Sequence, residues 1–165
     1  LGLYVPPFDN LVQAFKYSGK TKVGELLGQA LAALVRQDEV LSAADAVCPV
    51  PLHPSRLRER GFNQSLLLAA AISMGTRIPL AECLTRTKNT ATQTRKMNSE
   101  ARLRNVAGAF RLRPDVPVDG RRVLLVDDVM TTGATLDQAS QALLKGGAAS
   151  VLGVVVAAAH AGVGT

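Results

Sequence analysis

Residues 123–135 read VLLVDDVMTTGAT, and their types and order suit one kind of chemistry. Asp127 and Asp128 are adjacent carboxylates. A carboxylate only accepts hydrogen bonds, so the pair suits ribose hydroxyls or a hydrated cation. Thr131, Thr132 and Thr135 place hydroxyl donors around Gly133, where the missing side chain lets backbone approach a ligand closely. A helical pattern follows, and a helix N-terminus offers unpaired backbone N–H groups to a phosphate. Together these are the parts of a site for a phosphorylated sugar. Each part alone says less. Many parallel strands end in Asp, Thr often caps the next helix, and an acidic pair at a strand end holds a metal in other α/β proteins.

Such a pair needs a scaffold to hold it. The apolar run 123–126 reads as a buried parallel strand over 122–127, stopped by the acidic pair. A helix over 134–145, ended by Gly146 and Gly147, and a strand over 150–157 follow. Upstream, the periodicity predicts helices over 8–18 and 24–37, the latter with Leu26, Leu27, Ala30, Leu31, Leu34 and Val35 in its apolar pattern. A short strand is expected over 45–50. Asn63 looks like the cap of a helix over 64–74, with Leu66, Leu67, Ala70, Ala71 and Met74 inward. Weaker strands are expected at Cys83 and Leu84 and over 107–112. Strands alternating with helices imply an α/β fold with a central parallel sheet of about five strands and right-handed crossovers. Ligands then sit at the carboxyl ends of the strands, where the acidic pair lies.

The full string 123–135 resembles the phosphoribosyl-diphosphate (PRPP) signature of type I phosphoribosyltransferases. The resemblance implies that Asp127 and Asp128 engage the 2′- and 3′-hydroxyls of the ribose. It assigns Val129, Met130, Thr131, Thr132, Gly133, Ala134 and Thr135 to the 5′-phosphate loop, with 131–135 wrapping the phosphate.

A second constellation reads PVPLHPSRLRERGFNQ over 49–64. Pro49, Pro51 and Pro54 stiffen a loop after a strand. Arg56, Arg58 and Arg60 face only Glu59, and Arg is suited to bidentate phosphate recognition. By itself the segment reads equally well as a solvated turn before a helix. Its place after a strand of the same sheet favours a pyrophosphate loop made of Pro51, Leu52, His53, Arg56 and Arg60. This motif followed by the PRPP string resembles the competence protein F (ComF) family of phosphoribosyltransferase-like proteins. Lys16, Tyr17, Gly19, Gln93 and the RLRNV of 102–106 extend the match over nearly the whole chain. Members of that family commonly carry an N-terminal four-cysteine zinc module. This sequence has only Cys48 and Cys83, so it is expected to be a shorter or trimmed member lacking that module.

The third constellation, 86–104, holds Arg86, Lys88, Arg95, Lys96, Arg102 and Arg104 against the single acid Glu100. It is either a solvated face or a long polar loop of the functional kind. In type I phosphoribosyltransferases a flexible loop at this place closes over the substrate and brings cations to the diphosphate. The resemblance makes Arg95, Lys96, Arg102 and Arg104 catalytic candidates beside Asp127 and Asp128. It implies Mg²⁺ as cofactor, held through Asp127, Asp128 or water. His160 has no argued role.

Composition bounds the rest. The 165 residues suit a single domain, with residues 1–40 its N-terminal helical part or small hood and 157–165 a frayed tail. A net charge of +6 suits a polyanionic partner, while 4% aromatics argues against stacking platforms for single-stranded nucleic acid. There is no signal-peptide pattern and no apolar run long enough for a membrane. The two cysteines read as buried free thiols in a reducing cytoplasm. The expected activity is transfer of 5-phosphoribosyl from PRPP to an unidentified acceptor with release of pyrophosphate, linked through the family to DNA uptake and nucleoside metabolism. The alternative is a non-catalytic PRPP or nucleotide sensor, or a single-stranded-DNA-handling competence factor. Nucleic acid is expected to bind weakly, and a homo-oligomer is left open.

Overall fold

Alternation along the strands decides the architecture. In the computed structural model, which describes residues 2–3, 21–89 and 108–159, the elements run β1 (Gly2–Leu3), α1 (Thr21–Gln37), α2 (Glu39–Ser42), β2 (Ala46–Pro49), α3 (Pro54–Arg60), α4 (Gln64–Thr76), β3 (Leu84–Arg86), β4 (Phe110–Leu112), β5 (Arg122–Met130), α5 (Ala134–Lys145) and β6 (Ser150–Ala158). A four-stranded parallel sheet has the order β1-β6-β5-β2. Val47, Leu124 and Val126 point to one face, where Leu27, Leu31 and Val35 of α1 and Leu68, Ala69 and Ile72 of α4 cover them. Cys48, Val123 and Leu125 point to the other, against Ala139 and Leu143 of α5 and against Leu84 and Phe110. Successive residues of a strand face opposite sides, so strands covered on both faces read as unbroken apolar runs. The α/β architecture with a central parallel sheet expected from the sequence is therefore present.

Three expectations are corrected. β3 and β4 are not strands of the parallel sheet but a separate antiparallel pair, with Leu84 opposite Leu112 and Arg86 opposite Phe110. The acidic pair does not stop β5. The strand runs through Asp127 and Asp128 to Met130, because Val129 and Met130 still pair with Ala157 and Ala158. The same pairing removes 157 and 158 from the frayed tail: they are paired residues of β6, and the Ala159 N–H donates to the Met130 carbonyl at 2.8 Å. The rest of the tail, with His160, lies outside the described residues, as does the helix expected over 8–18.

The helix faces also differ. On α4 the buried residues are Gln64, Ser65, Leu68, Ala69 and Ile72, while Leu67 is exposed and Met74 is 81% exposed. The helix is apolar nearly all round, so spacing alone did not fix its rotation. Polar anchors at its N-terminus do. On α1, Leu26 (67% exposed), Ala30 and Leu34 face outward. Gly24, Leu27, Gly28, Leu31, Ala32 and Val35 face inward. Gly28 is needed there because a Cβ would run into the Ala71 methyl of α4. Both cysteines are free and buried, as expected. No helix among the described residues is long and apolar enough to cross a membrane.

Candidate functional site

The parallel pairing of β2 with β5 brings the acidic pair and the proline-rich segment to one edge. Pro49 is in register with Val126, and the Val50 N–H donates to the Val126 carbonyl at 2.9 Å. There β2 ends and its chain leaves the sheet toward 51–53, while β5 continues through Asp127, still in register with Val155 of β6.

Asp127 is 8% exposed. Its Oδ1 accepts the Ser65 hydroxyl at 2.9 Å and the Asp128 backbone N–H at 2.8 Å. Asp128 is half-buried, and its Oδ1 accepts the Val129 N–H at 2.7 Å. Each carboxylate is thus braced at its Oδ1. Beyond Met130 the chain turns at Thr131 and Thr132 to Gly133, which has φ +78° and serves as the α5 N-cap without a side-chain capping bond. The first turn of α5 therefore presents its N–H groups to whatever sits before it; the first helical bond runs from the Asp137 N–H to the Gly133 carbonyl at 2.9 Å. A concavity of about 210 Å³, open to solvent, is lined by Asp127 and residues 129–136. Open on one side rather than enclosing, it suits one end of a ligand. Its amides, hydroxyls and helix terminus suit an anionic end. Val129 and Met130, assigned with that loop, are its strand-borne rim.

The second constellation is helical from Pro54 to Arg60, a correction to the expected loop. Pro54 at the first helical position suits its start. His53 caps it: Nδ1 accepts the Ser55 N–H at 3.2 Å and lies 2.8 Å from the Ser55 hydroxyl. Gly61, at φ +79°, closes it. Arg56 and Arg60, four residues apart, share a half-buried face, and Arg58 is exposed. Arg56 pairs with Glu59 at 2.8 Å. Arg60 donates to Gln64 Oε1 at 3.3 Å. Pro51 and Leu52 form the half-buried connection from β2.

Arg86 joins this site, although the pattern of the sequence did not single it out. It stands on β3, with its guanidinium carbon 5.4 Å from the centre of the Phe110 ring. Burial lowers its pKa from the ordinary guanidinium value; the charge of Asp127 opposes that shift, and Arg56 adds to it. Arg86 therefore lies within electrostatic reach of both Asp127 and Arg56. Ser65 was also missed. The basic run 86–104 contains Arg86 without setting it apart from its neighbours, and no local signal marks Ser65, because each acts across the fold. The third constellation leaves the β3–β4 pair beside Arg86 and returns to it, where the Thr87 N–H meets the Ala109 carbonyl at 2.8 Å. Arg95, Lys96, Arg102 and Arg104 themselves lie outside the described residues, as do Lys16, Tyr17, Gly19 and Gln93.

No cluster of three or more His, Cys, Asp or Glu side chains occurs among the described residues. Two carboxylates without further protein ligands fit Mg²⁺, which keeps waters and takes oxygens from a phosphorylated substrate. They do not fit a metal that needs a closed protein cage.

A model of the phosphoribosyl transferase domain matches residues 63–164, more than half of the chain. The chain is a member of the phosphoribosyl transferase domain family. Within the family, it is 39% identical over 152 residues to the DNA utilization protein YhgH of Escherichia coli K12, covering 90% of this chain and 66% of that protein. It is 37% identical to competence protein F of Haemophilus influenzae, covering 88% and 65%. Competence protein ComFC of Bacillus subtilis is 38% identical, over 62% and 40%. The ComF resemblance read from the sequence is borne out by these relatives. The chain spans just under two thirds of the length of the first two. Among solved structures, the glutamine PRPP amidotransferase from B. subtilis complexed with ADP and GMP is similar at TM-score 0.58 and 22% identity, covering 88% of this phosphoribosyl transferase chain and 30% of that one. Orotate phosphoribosyltransferase from Aeropyrum pernix is similar at TM-score 0.50 and 20% identity, covering 85% and 73%. These likenesses concern the fold.

Proposed function

We propose that this phosphoribosyl transferase domain binds PRPP with Mg²⁺ and transfers its 5-phosphoribosyl group to an acceptor, releasing pyrophosphate. The observation that carries the reading is the gathering, toward the carboxyl ends of β5 and β2, of the braced pair Asp127 and Asp128, the uncapped α5 N-terminus behind Gly133, and Arg86 within electrostatic reach of Asp127 and Arg56. The loop 131–135 and the first amides of α5 hold the 5′-phosphate. Asp127 and Asp128 accept the ribose hydroxyls and, directly or through water, hold Mg²⁺. When bound, Mg²⁺ neutralises charge on the diphosphate oxygens. As the C1–oxygen bond lengthens, C1 becomes positive and the diphosphate gains negative charge. Arg56, Arg60 and Arg86 stabilise the leaving diphosphate. His53 completes the pyrophosphate segment with Pro51 and Leu52, its Nδ1 being used for the helix cap. Arg95, Lys96, Arg102 and Arg104 are proposed to add cations from the adjoining segment and to exclude water. The names of the relatives suggest that the acceptor or product serves DNA utilization or competence.

The test is incubation with Mg²⁺-PRPP and a panel of bases and amines, following pyrophosphate. The wild type should release pyrophosphate with at least one acceptor. The double variant Asp127→Asn, Asp128→Asn should fold and neither bind PRPP nor turn over. Undiminished PRPP affinity in the folded double variant would sink the assignment. A second reading, a non-catalytic PRPP sensor or DNA-handling factor, is favoured by the +6 charge and by the relatives' names. It predicts PRPP or DNA binding without pyrophosphate release.

A further inference from the structure

The first turn of α4 is tied to the site at three points. The Asn63 side-chain amide donates to the Val50 carbonyl at 3.1 Å, at the end of β2. Its oxygen accepts the Ser65 N–H at 3.1 Å. The Ser65 hydroxyl then donates to Asp127 Oδ1 at 2.9 Å, across 62 residues of sequence. Ser65 is 4% exposed, so its hydroxyl does not exchange this partner for bulk water. The Asp128 N–H reaches the same oxygen at 2.8 Å. A backbone donor on its own follows the strand and leaves the carboxylate free to turn about its χ angles. A second donor, from a different element, fixes the plane of the carboxylate and hence the direction of its other oxygen.

We propose that Ser65 is a positioning residue: through Oδ1 it sets the rotamer in which Asp127 Oδ2 is presented to the sugar hydroxyls of the substrate. The proposal rests on the PRPP reading for its ligand but not for its geometry. It accounts for a polar residue at a core-facing position of α4, and for the orientation of that helix, which turns Leu67 and Met74 toward water. A hydroxyl kept only to tie α4 to β5 would affect stability and leave ligand affinity alone.

The experiment compares wild type, Ser65→Ala and Ser65→Thr, with Ser65→Cys as a second volume-matched replacement should alanine or threonine fail to fold. Calorimetry with Mg²⁺-PRPP is run well below each melting temperature, and carboxyl carbon and backbone amide NMR spectra are recorded without ligand. Removing the hydroxyl should weaken PRPP binding about tenfold, in the range typical of supporting hydrogen bonds around a ligand site, and Ser65→Thr should restore it to within about twofold. In the ligand-free spectra, Ser65→Ala or Ser65→Cys should move the Asp127 carboxyl carbon and the Asp128 amide, and Ser65→Thr should return them. Wild-type affinity in a folded variant without the hydroxyl overturns the proposal. If the wild type binds no PRPP, the functional reading fails and the spectra alone decide: unmoved Asp127 and Asp128 resonances then overturn the positioning role.

Discussion

At the scale of single residues, Gly133 carries a large share of the site's geometry. Its φ of +78° turns the chain from β5 into α5 so that the helix amides face the concavity. A Cβ there would meet only Met130 Sδ, at 3.9 Å, so space is not the obstacle. Left-handed backbone is. Gly133→Ala is expected to cost about 1–3 kcal/mol in urea denaturation and to weaken PRPP binding, as the loop relaxes from its phosphate-facing shape. Unchanged stability would mean that the loop does not need this conformation. The residues 127–135 were legible in the sequence because they are contiguous: strand, acids, loop and helix start all lie within one short string. Arg86 and Ser65 were not. Arg86 reaches Asp127 and Arg56 only after the β3–β4 pair forms, and Ser65 reaches Asp127 only after α4 packs on β5.

At the scale of elements, the helices were legible as helices but their faces were not. In α4 the run QSLLLAAAISMGT offers apolar side chains in nearly every direction, and the links of Asn63 and Ser65 select the rotation. Leu68 is fully buried, so Leu68→Ala should lose about 2–5 kcal/mol. Met74→Ala, on the outer face, should stay within about 0.5 kcal/mol. Equal losses would show that the helix sits in another rotation. The α3 helix was hidden for a different reason: its prolines read as loop signals, although Pro54 sits at the first helical position, where its missing N–H is harmless. The starts of β2 and β5 are joined by Asp45, whose carboxylate takes the Arg122 guanidinium at 2.9 and 3.1 Å and its backbone N–H at 2.8 Å. The Arg122 side chain, then its backbone N–H, hold the Asp45 carboxyl down at about 2, from 3.8. A depressed carboxyl stabilises the fold fully above its unfolded value and loses that contribution as pH falls through the folded one. The melting temperature of the wild type should therefore fall more steeply than that of Asp45→Asn between pH 3.8 and about 2, and no faster above or below. Parallel curves through that window would remove the pair from the acid response. Both side chains are largely solvent-exposed, so the difference should be small.

At the scale of the molecule, the question is where the positive charge acts. The excess of 19 basic over 13 acidic residues gives +6. Part of it is answered internally, by Glu59 on Arg56, Asp115 on Arg113 and Asp45 on Arg122. Arg86 lies within electrostatic reach of Asp127 and of Arg56, which concentrates positive potential at a point rather than along a track. A point suits a compact polyanion; a track suits a nucleic-acid backbone. A ligand that binds only the folded chain stabilises it by mass action, by about 2.7 kcal/mol at one hundred times its dissociation constant. Millimolar PRPP with Mg²⁺ should therefore raise the melting temperature, and the rise should vanish in the Asp127→Asn, Asp128→Asn variant. Single-stranded DNA should bind weakly and fade steeply with added salt, because contacts confined to phosphates release counterions on binding. DNA binding that survives physiological salt, with no thermal shift from PRPP, would transfer the basic groups from a diphosphate pocket to a nucleic-acid surface and decide for the DNA-handling reading.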